Sequence, residues 1–153
     1  MSDVGVYAAV QAEIVALLTT PAITVSSVTA NIRSALSVAH LVEGPEAVQK
    51  PMVGVILLDS RALGEDEQTL SRQIRVETFW QIAAVDASNR GASDRRTWCY
   101  SVLETVRDRL HQYTSTIAPG YDVYRWVSES FTAETPSVMA AVATYRLPLM
   151  LGR

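Results

Sequence analysis

The stretch from Gln73 to Leu149 constrains this chain most, because its hydrophobic period runs from two residues to the helical spacing and back to two. Ile74, Val76, Thr78, Trp80 and Ile82 alternate with Arg75, Glu77, Phe79 and Gln81, the pattern of a strand over Gln73–Val85. From Asp94 to Tyr113 the spacing is helical, with Trp98, Cys99, Val102, Leu103, Val106, Leu110 and Tyr113 on one face. Ser93 is a candidate N-cap there, and Asp94 suits the positive end of the helix dipole. Pro119-Gly120 then breaks the chain. Two further alternating runs, Tyr121–Phe131 and Val138–Leu149, read as a hairpin connected through Thr132–Pro136. Pro148 fits a strand end or an exposed edge, since it has no N–H to give a ladder.

Upstream, residues 3–18 read as a first helix capped by Ser2 or Asp3. Val6, Tyr7, Val10, Ile14, Leu17 and Leu18 form its stripe, and Thr19-Thr20-Pro21 ends it. Ile23–Val25 reads as a short strand. The spacing of Val28, Ile32, Leu36 and Ala39 predicts a helix over 28–38. Pro51 opens a strand over Met52–Asp59, apolar on both faces and so central in a sheet. Ser60–Arg72 reads as a long connection carrying the acidic run Glu65-Asp66-Glu67, the length expected of a mobile or functional loop. The expected fold is α+β in α-β-β-α-β-β order. It is a mainly antiparallel four-stranded sheet with helices packed on one face, in a single domain spanning 1–153. Crossover geometry further predicts that the strands bearing Trp80 and Trp126 pair in parallel.

Composition removes several function classes. A chain of 153 residues, 48% hydrophobic and 19% charged, buries a sizeable core without disulfides. Its net charge of −3 gives no electrostatic case for nucleic-acid binding. No apolar run approaches the roughly 18 residues of a membrane span. Met1-Ser2-Asp3 lacks a basic secretory start, so the expectation is assembly in a cytoplasm without a membrane. The single cysteine, Cys99, permits no internal disulfide. Twelve arginines stand against the one lysine, Lys50. A GC-rich genome explains that bias; so do arginine ion pairs across protein interfaces, where the planar fork outperforms an ammonium.

Catalytic furniture is sparse. His40 and His111 have no metal-ligand spacing, and Cys99 beside Trp98 reads as a core residue rather than a nucleophile. No GxSxG elbow, SxxK, Walker loop or GxGxxG is present, and Glu65, Asp66 and Glu67 lack calcium-loop spacing. No enzyme activity, cofactor or metal is therefore expected. The basic residues Arg90, Arg95 and Arg96 can meet phosphate or the acidic run Glu65–Glu67 of a neighbouring copy. The second reading fits a chain without overall positive charge.

The order of elements also carries a resemblance. It consists of an amphipathic N-terminal helix, the strand opened by Pro51-Met52-Val53-Gly54-Val55, a long loop and a long strand. The helix with Arg107-Asp108-Arg109-Leu110 and a hairpin ending Tyr145-Arg146-Leu147-Pro148-Leu149 complete it. In length, order and texture over residues 3–149 this resembles the tail-terminator (tail-completion) minor tail proteins of long-tailed bacteriophages. The departure is residues 22–50, longer than that pattern expects. The resemblance implies a structural virion protein of the tail-neck region, a homo-hexameric ring that caps the tail tube and ends its polymerisation. Such a ring meets the tail tube protein on one face and a head-completion or connector protein on the other, and DNA passes through its channel without specific binding. Arg61, Glu65, Asp66, Glu67, Arg90, Arg95 and Arg96 are the expected subunit or ring interface.

Other readings remain open at the level of sequence. They are another neck (head-closure) protein, a ferredoxin-like small-molecule-binding regulatory module, and an enzyme using 60–72 as a lid.

Overall fold

Two fourteen-residue strands, Gln73–Asp86 and Met139–Gly152, pair antiparallel along their whole length and form the middle of the protein. The computed structural model describes residues 3–43, 51–63, 73–118, 122–134 and 137–152. Its elements in chain order are α1 (Asp3–Thr19), β1 (Thr24–Val25), β2 (Val28–Thr29), β3 (Asn31–Ser34), α2 (Val38–Glu43) and β4 (Met52–Ala62). They continue with β5 (Gln73–Asp86), α3 (Ala92–Leu110), β6 (Arg125–Glu134) and β7 (Met139–Gly152). The main sheet has the order β3-β4-β5-β7-β6, and β1 and β2 form a separate two-stranded hairpin. Only β3 and β4 run parallel; the other three pairings are antiparallel.

This corrects the expected four-stranded, mainly antiparallel sheet with helices on one face. The sheet is five-stranded and mixed, although the α+β class stands. The added strand comes from the segment read as helix over 28–38. Val28, Thr29 and Ile32 are β-branched, and the backbone there pairs instead, with Asn31 N–H donating to Pro51 O at 3.0 Å. A four-residue strand is too short to display a period of two. The strands bearing Trp80 and Trp126 do run the same way, but β7 lies between them. Both residues stand opposite Tyr145, one on each side, so they do not pair directly.

The helices divide between the two faces, and chain handedness gives the reason. The steps β3→β4 and β5→β6 move the same way across the sheet along oppositely directed strands. Right-handed crossovers then place α2 and α3 on opposite faces. On one face α1 and α3 pack over Val53, Val55, Trp80, Ile82, Tyr145 and Leu147. On the other, Leu41 of α2 packs with Met52, Ile56, Ala83, Val85, Ala140 and Val142. Gly54 makes that second contact possible: a Cβ there would stand 2.3 Å from Leu41 Cδ1. The face is set by parity, since Val53 and Val55 point one way and Met52, Gly54 and Ile56 the other.

Polar ties complete the helix-side core. The buried Trp80 indole donates to Thr78 Oγ1 at 2.8 Å, and the Thr78 hydroxyl in turn donates to Leu147 O at 2.7 Å. Trp98 of α3 donates to Val28 O at 3.1 Å, which fastens the small hairpin to the domain. Arg109 donates to the carbonyls of Leu17, Leu18 and Pro21, a cation at the negative C-terminal end of α1. α3 starts two residues before the expected Asp94 and ends at Leu110, short of Tyr113. Its N-cap is Gly91 rather than Ser93 and makes no side-chain cap bond. Pro148 lies in β7 beyond the last β6 pair, Arg125↔Arg146, so that flank of β7 is locally an edge. The connection expected over Ser60–Arg72 is shorter at its start, because Ser60–Ala62 belong to β4.

Glu13 of α1 holds the segment that follows α3. Its carboxylate accepts from Ser115 Oγ (2.7 Å), Tyr124 OH (2.5 Å), Thr116 N (2.8 Å) and Thr116 Oγ1 (2.7 Å). Burial pushes its pKa up, but these donors, Tyr124 foremost, outweigh it and hold the carboxyl below its ordinary value of 4.5. Glu13→Ala leaves the buried Tyr124 hydroxyl without its acceptor and is expected to cost about 2 kcal/mol of unfolding free energy near pH 7. A depressed folded pKa stabilises above the unfolded value and loses that effect as pH falls through the folded one. The gap between wild type and Glu13→Ala in urea titrations should therefore narrow below about pH 4.

Ser26 and Ser27 link β1 to β2 with φ of 50° and 66°, the left-handed pair of a two-residue hairpin. Replacing them by Asn-Gly is expected to raise stability by about 0.5–1 kcal/mol, read as a higher urea midpoint at unchanged slope.

Candidate functional site

The end of the sheet that α2 does not reach carries a group of charged side chains. Alternation brings Arg75, Glu77 and Phe79 of β5 to the face opposite the buried Val76, Thr78 and Trp80. Register then sets the neighbours. One row reads Asp59, Phe79, Arg146, Arg125 across β4, β5, β7 and β6, and the next reads Arg61, Glu77, Pro148. Arg75 stands opposite Met150. Four arginines and two carboxylates thus share this platform, in a chain whose 16 carboxylates outnumber its 13 lysines and arginines.

Local contacts fix part of the platform. Arg61 Nε lies 2.6 Å from Asp59 Oδ2, and the Arg61 guanidinium sits 5.0 Å from the Phe79 ring centroid. Arg61, helped by the Ser60 N–H, holds the Asp59 carboxyl below its ordinary value. Arg146 Nη1 is 3.4 Å from Glu77 Oε1, with the arginine half-exposed. Arg125 stands directly opposite Arg146. Like charges in that relation destabilise a sheet, and Glu77 offsets part of that cost through Arg146. A planar cation beside an aromatic ring and a proline is chemistry suited to carboxylates on another protein.

Of the seven residues expected at an interface, Arg61 lies at the opposite end of β5 from the turn that carries Arg90 and Arg95. Arg61 is on the platform, 70% exposed. Glu65, Asp66 and Glu67 lie outside the described residues. Arg90 is turned back onto Asp86 and onto Ser88 Oγ (3.1 Å) in the β5–α3 turn. Arg95 is only 4% exposed; its guanidinium donates to Ser88 O at 3.3 Å and to Arg90 O. Arg96 is half-buried on α3 and engaged in a contact of its own. Arg90 and Arg95 thus build a turn: Asp86 also accepts from Ser88 N and Oγ, so the loop is knitted around one buried carboxylate. Sequence proximity suggested Arg75, Arg125 and Arg146 to no one reading. The signal that finds them is strand parity combined with register, which single strands do not reveal.

The groups with chemical potential are spent on structure. Cys99 is fully buried, its Sγ 3.6 Å from Ala84 O, and burial pushes the thiol up to about 12. An open depression lies between α1 and the segment after α3, walled by Ala12, Ala16, Tyr113 and Ile117. The Glu13 carboxylate at its wall is the one already saturated by donors. His111 Nδ1 accepts the Trp126 N–H at 3.0 Å, and His40 is exposed on α2. Among the described residues no three His, Cys, Asp or Glu side chains gather as metal ligands would, and no helix is long and apolar enough to cross a membrane.

Comparison with known proteins adds the fold's company. No protein-family model and no curated protein matches the chain. Among solved structures, a chain of the virion of a native gene transfer agent particle superposes with a TM-score of 0.52 at 13% identity. The match covers 95% of this chain and 91% of that one. The fold is shared with a virion component.

The opposed Arg125 and Arg146 give a direct test of the platform. Arg125→Glu turns a like-charge pair into an attractive one and is expected to stabilise the free chain by about 0.5 kcal/mol. The same change is expected to weaken association with an acidic neighbour. Thermal melts and native mass measured on one preparation check both signs.

Proposed function

We propose that this chain is a structural protein of a phage-like virion, a tail terminator that closes the end of the tail tube as a homo-hexameric ring. The observation that carries the reading is the fold likeness, over 95% of this chain, to a virion-particle chain. The resemblance in element order over residues 3–149 supports the finer assignment. In this reading one face of the ring stops tube polymerisation and the other receives a head-completion or connector protein. DNA crosses the channel without specific binding, and the protein resides in the tail-neck region.

The reading is non-enzymatic, and the chemistry of the described residues supports that. Glu13 and Asp86, the best-connected carboxylates, are occupied by internal donors, and the one thiol is buried and protonated at neutral pH. The platform around Arg61, Arg75, Arg125 and Arg146 supplies cations for carboxylates of an adjoining protein, the role first given to Arg61 together with Arg90, Arg95 and Arg96.

Light scattering with negative-stain imaging of the same fraction tests the assignment. A hexamer mass with annular particles is expected, alone or on addition of tail tubes. Tubes assembled in the presence of the protein should stop growing, with density at one end. A strict dimer that neither forms rings nor binds tubes would sink the terminator reading.

A further inference from the structure

One backbone donor at the start of β6 ends on a titratable ring, and the local geometry shows why. α3 stops at Leu110, and Gln112 turns the chain with a φ of 66°, in the left-handed region. The residues after it then run antiparallel to those that lead into β6. Gln112 N donates to Tyr124 O at 2.7 Å, Tyr124 N to Tyr113 O at 3.1 Å, and Ser115 N to Asp122 O at 2.8 Å. The next donor in that series belongs to Trp126, and a backbone ladder would offer it the carbonyl of His111. It finds the ring instead: Trp126 N donates to His111 Nδ1 at 3.0 Å.

That bond specifies the charge of the ring. A backbone amide only donates, so Nδ1 holds no proton and the imidazole is neutral with its proton on Nε2. A proton on Nδ1 would set two donors face to face and remove the acceptor. The piece of β6 held in this way is short. Arg125 and Trp126 pair with Arg146 and Tyr145, and the ladder slips directly after them, between Trp126 and Ser128. The other tie to α3 is Glu129, which accepts from the Trp126 indole at 3.0 Å and lies 3.6 Å from Arg107 Nε.

The ionisable groups around the ring act in one direction. Asp108 lies one turn back on α3 beside Arg107, and Arg107 is drawn to Glu129 of β6. Asp108, Glu129 and the last carbonyls of α3 favour an imidazolium, which promotes loss of the acceptor. Arg125 and Arg146 point to the opposite face of the sheet. Tyr113 packs against Tyr124, whose hydroxyl is turned to Glu13, and Asp122 lies beyond, opposite Ser115. Burial pushes the Tyr124 and Tyr145 hydroxyls above their ordinary values, so both are neutral throughout.

We propose that His111 is a proton-operated latch: neutral, it holds the first residues of β6 to the end of α3, and protonated, it releases them. The held state excludes a proton that the released state accepts, so the latch tightens as pH rises and opens as pH falls. Imidazole is the side chain that ordinarily changes charge between about pH 5 and 8. The latch needs nothing from the assembly reading. It does reach the charged platform, because the released piece carries Arg125.

Amide hydrogen exchange of the isotope-labelled full chain, read by NMR at about pH 5 and about pH 7.5, tests this. With intrinsic rates divided out, the Trp126 amide is expected to be about tenfold less protected in acid, the factor for one lost hydrogen bond. His111→Asn places Oδ1 where Nδ1 stands and takes up no proton, so it should give the same protection at both values. His111→Gln carries its amide at the Nε2 position and should leave Trp126 unprotected at both. His111 is exposed, and circular dichroism checks that the variants fold. The wild-type ring gives a second reading, since its nitrogen resonances must show Nδ1 unprotonated at the higher pH. A protonated Nδ1 there overturns the latch. Equal wild-type protection at the two values overturns it too, as does a pH response that His111→Asn retains. Protection of Trp126 that falls only in step with the β5–β7 ladder means global opening and likewise overturns it.

Discussion

The ladder between β5 and β7 organises the rest of the molecule, because every long-range placement is measured from it. It joins Gln73 to Gly152 at one end and Asp86 to Met139 at the other without a slip. A ladder buried on both faces over much of its length must match its side chains to two cores at once, and a one-residue shift would exchange them. Trp80, Ile82, Tyr145 and Leu147 would leave the helix-side core, and Ala83, Val85, Ala140 and Val142 would enter it. That two-sided demand explains the many alanines. On both sides of the seam small residues let a helix approach closely, most tightly where Leu41 lies over Gly54. Slips are tolerated only away from the seam, in β4 near Leu57 and in β6.

Much of this architecture was legible in the sequence. α1, β4 and β5 fall within a few residues of their periodic signals, and the helix face of Trp98, Cys99, Val102, Leu103, Val106 and Leu110 is buried as the spacing requires. The short strand expected at Ile23–Val25 is β1, but residues 26–43 were not legible, for a physical reason. A two-residue hairpin, a four-residue strand and a six-residue helix are each shorter than one reading window, so tertiary contacts decide them. Val28, Ile32 and Leu36 happen to fit helical spacing, yet Val28 is held by the Trp98 indole and Leu36 is in solvent. The second helical face was missed with them, since α2 follows the strand that was read as helix.

Charge was harder to read than hydrophobicity. Arg90, Arg95 and Arg96 looked like a surface cluster, but a guanidinium has five donors, and turns with exposed carbonyls consume them. Arg95 meets the Ser88 and Arg90 carbonyls, and Arg90 meets the buried Asp86. The cations that do share a surface come from four strands, Arg61 on β4, Arg75 on β5, Arg146 on β7 and Arg125 on β6. They are separated in sequence, and only register unites them. Exposure on β6 follows from its place at the sheet edge, where residues of both parities, Trp126 and Val127 alike, are open.

Cys99 carries a practical consequence. It is the only cysteine, its side chain is inaccessible, and its thiol remains protonated at any pH near neutrality. The folded chain is therefore silent towards alkylating reagents, and modification requires α3 to lift from the strands carrying Ala84 and Met139. One native atom thus serves as an internal clock. The rate at which a maleimide consumes it counts openings of the helix-side core, with no label introduced and no surface disturbed.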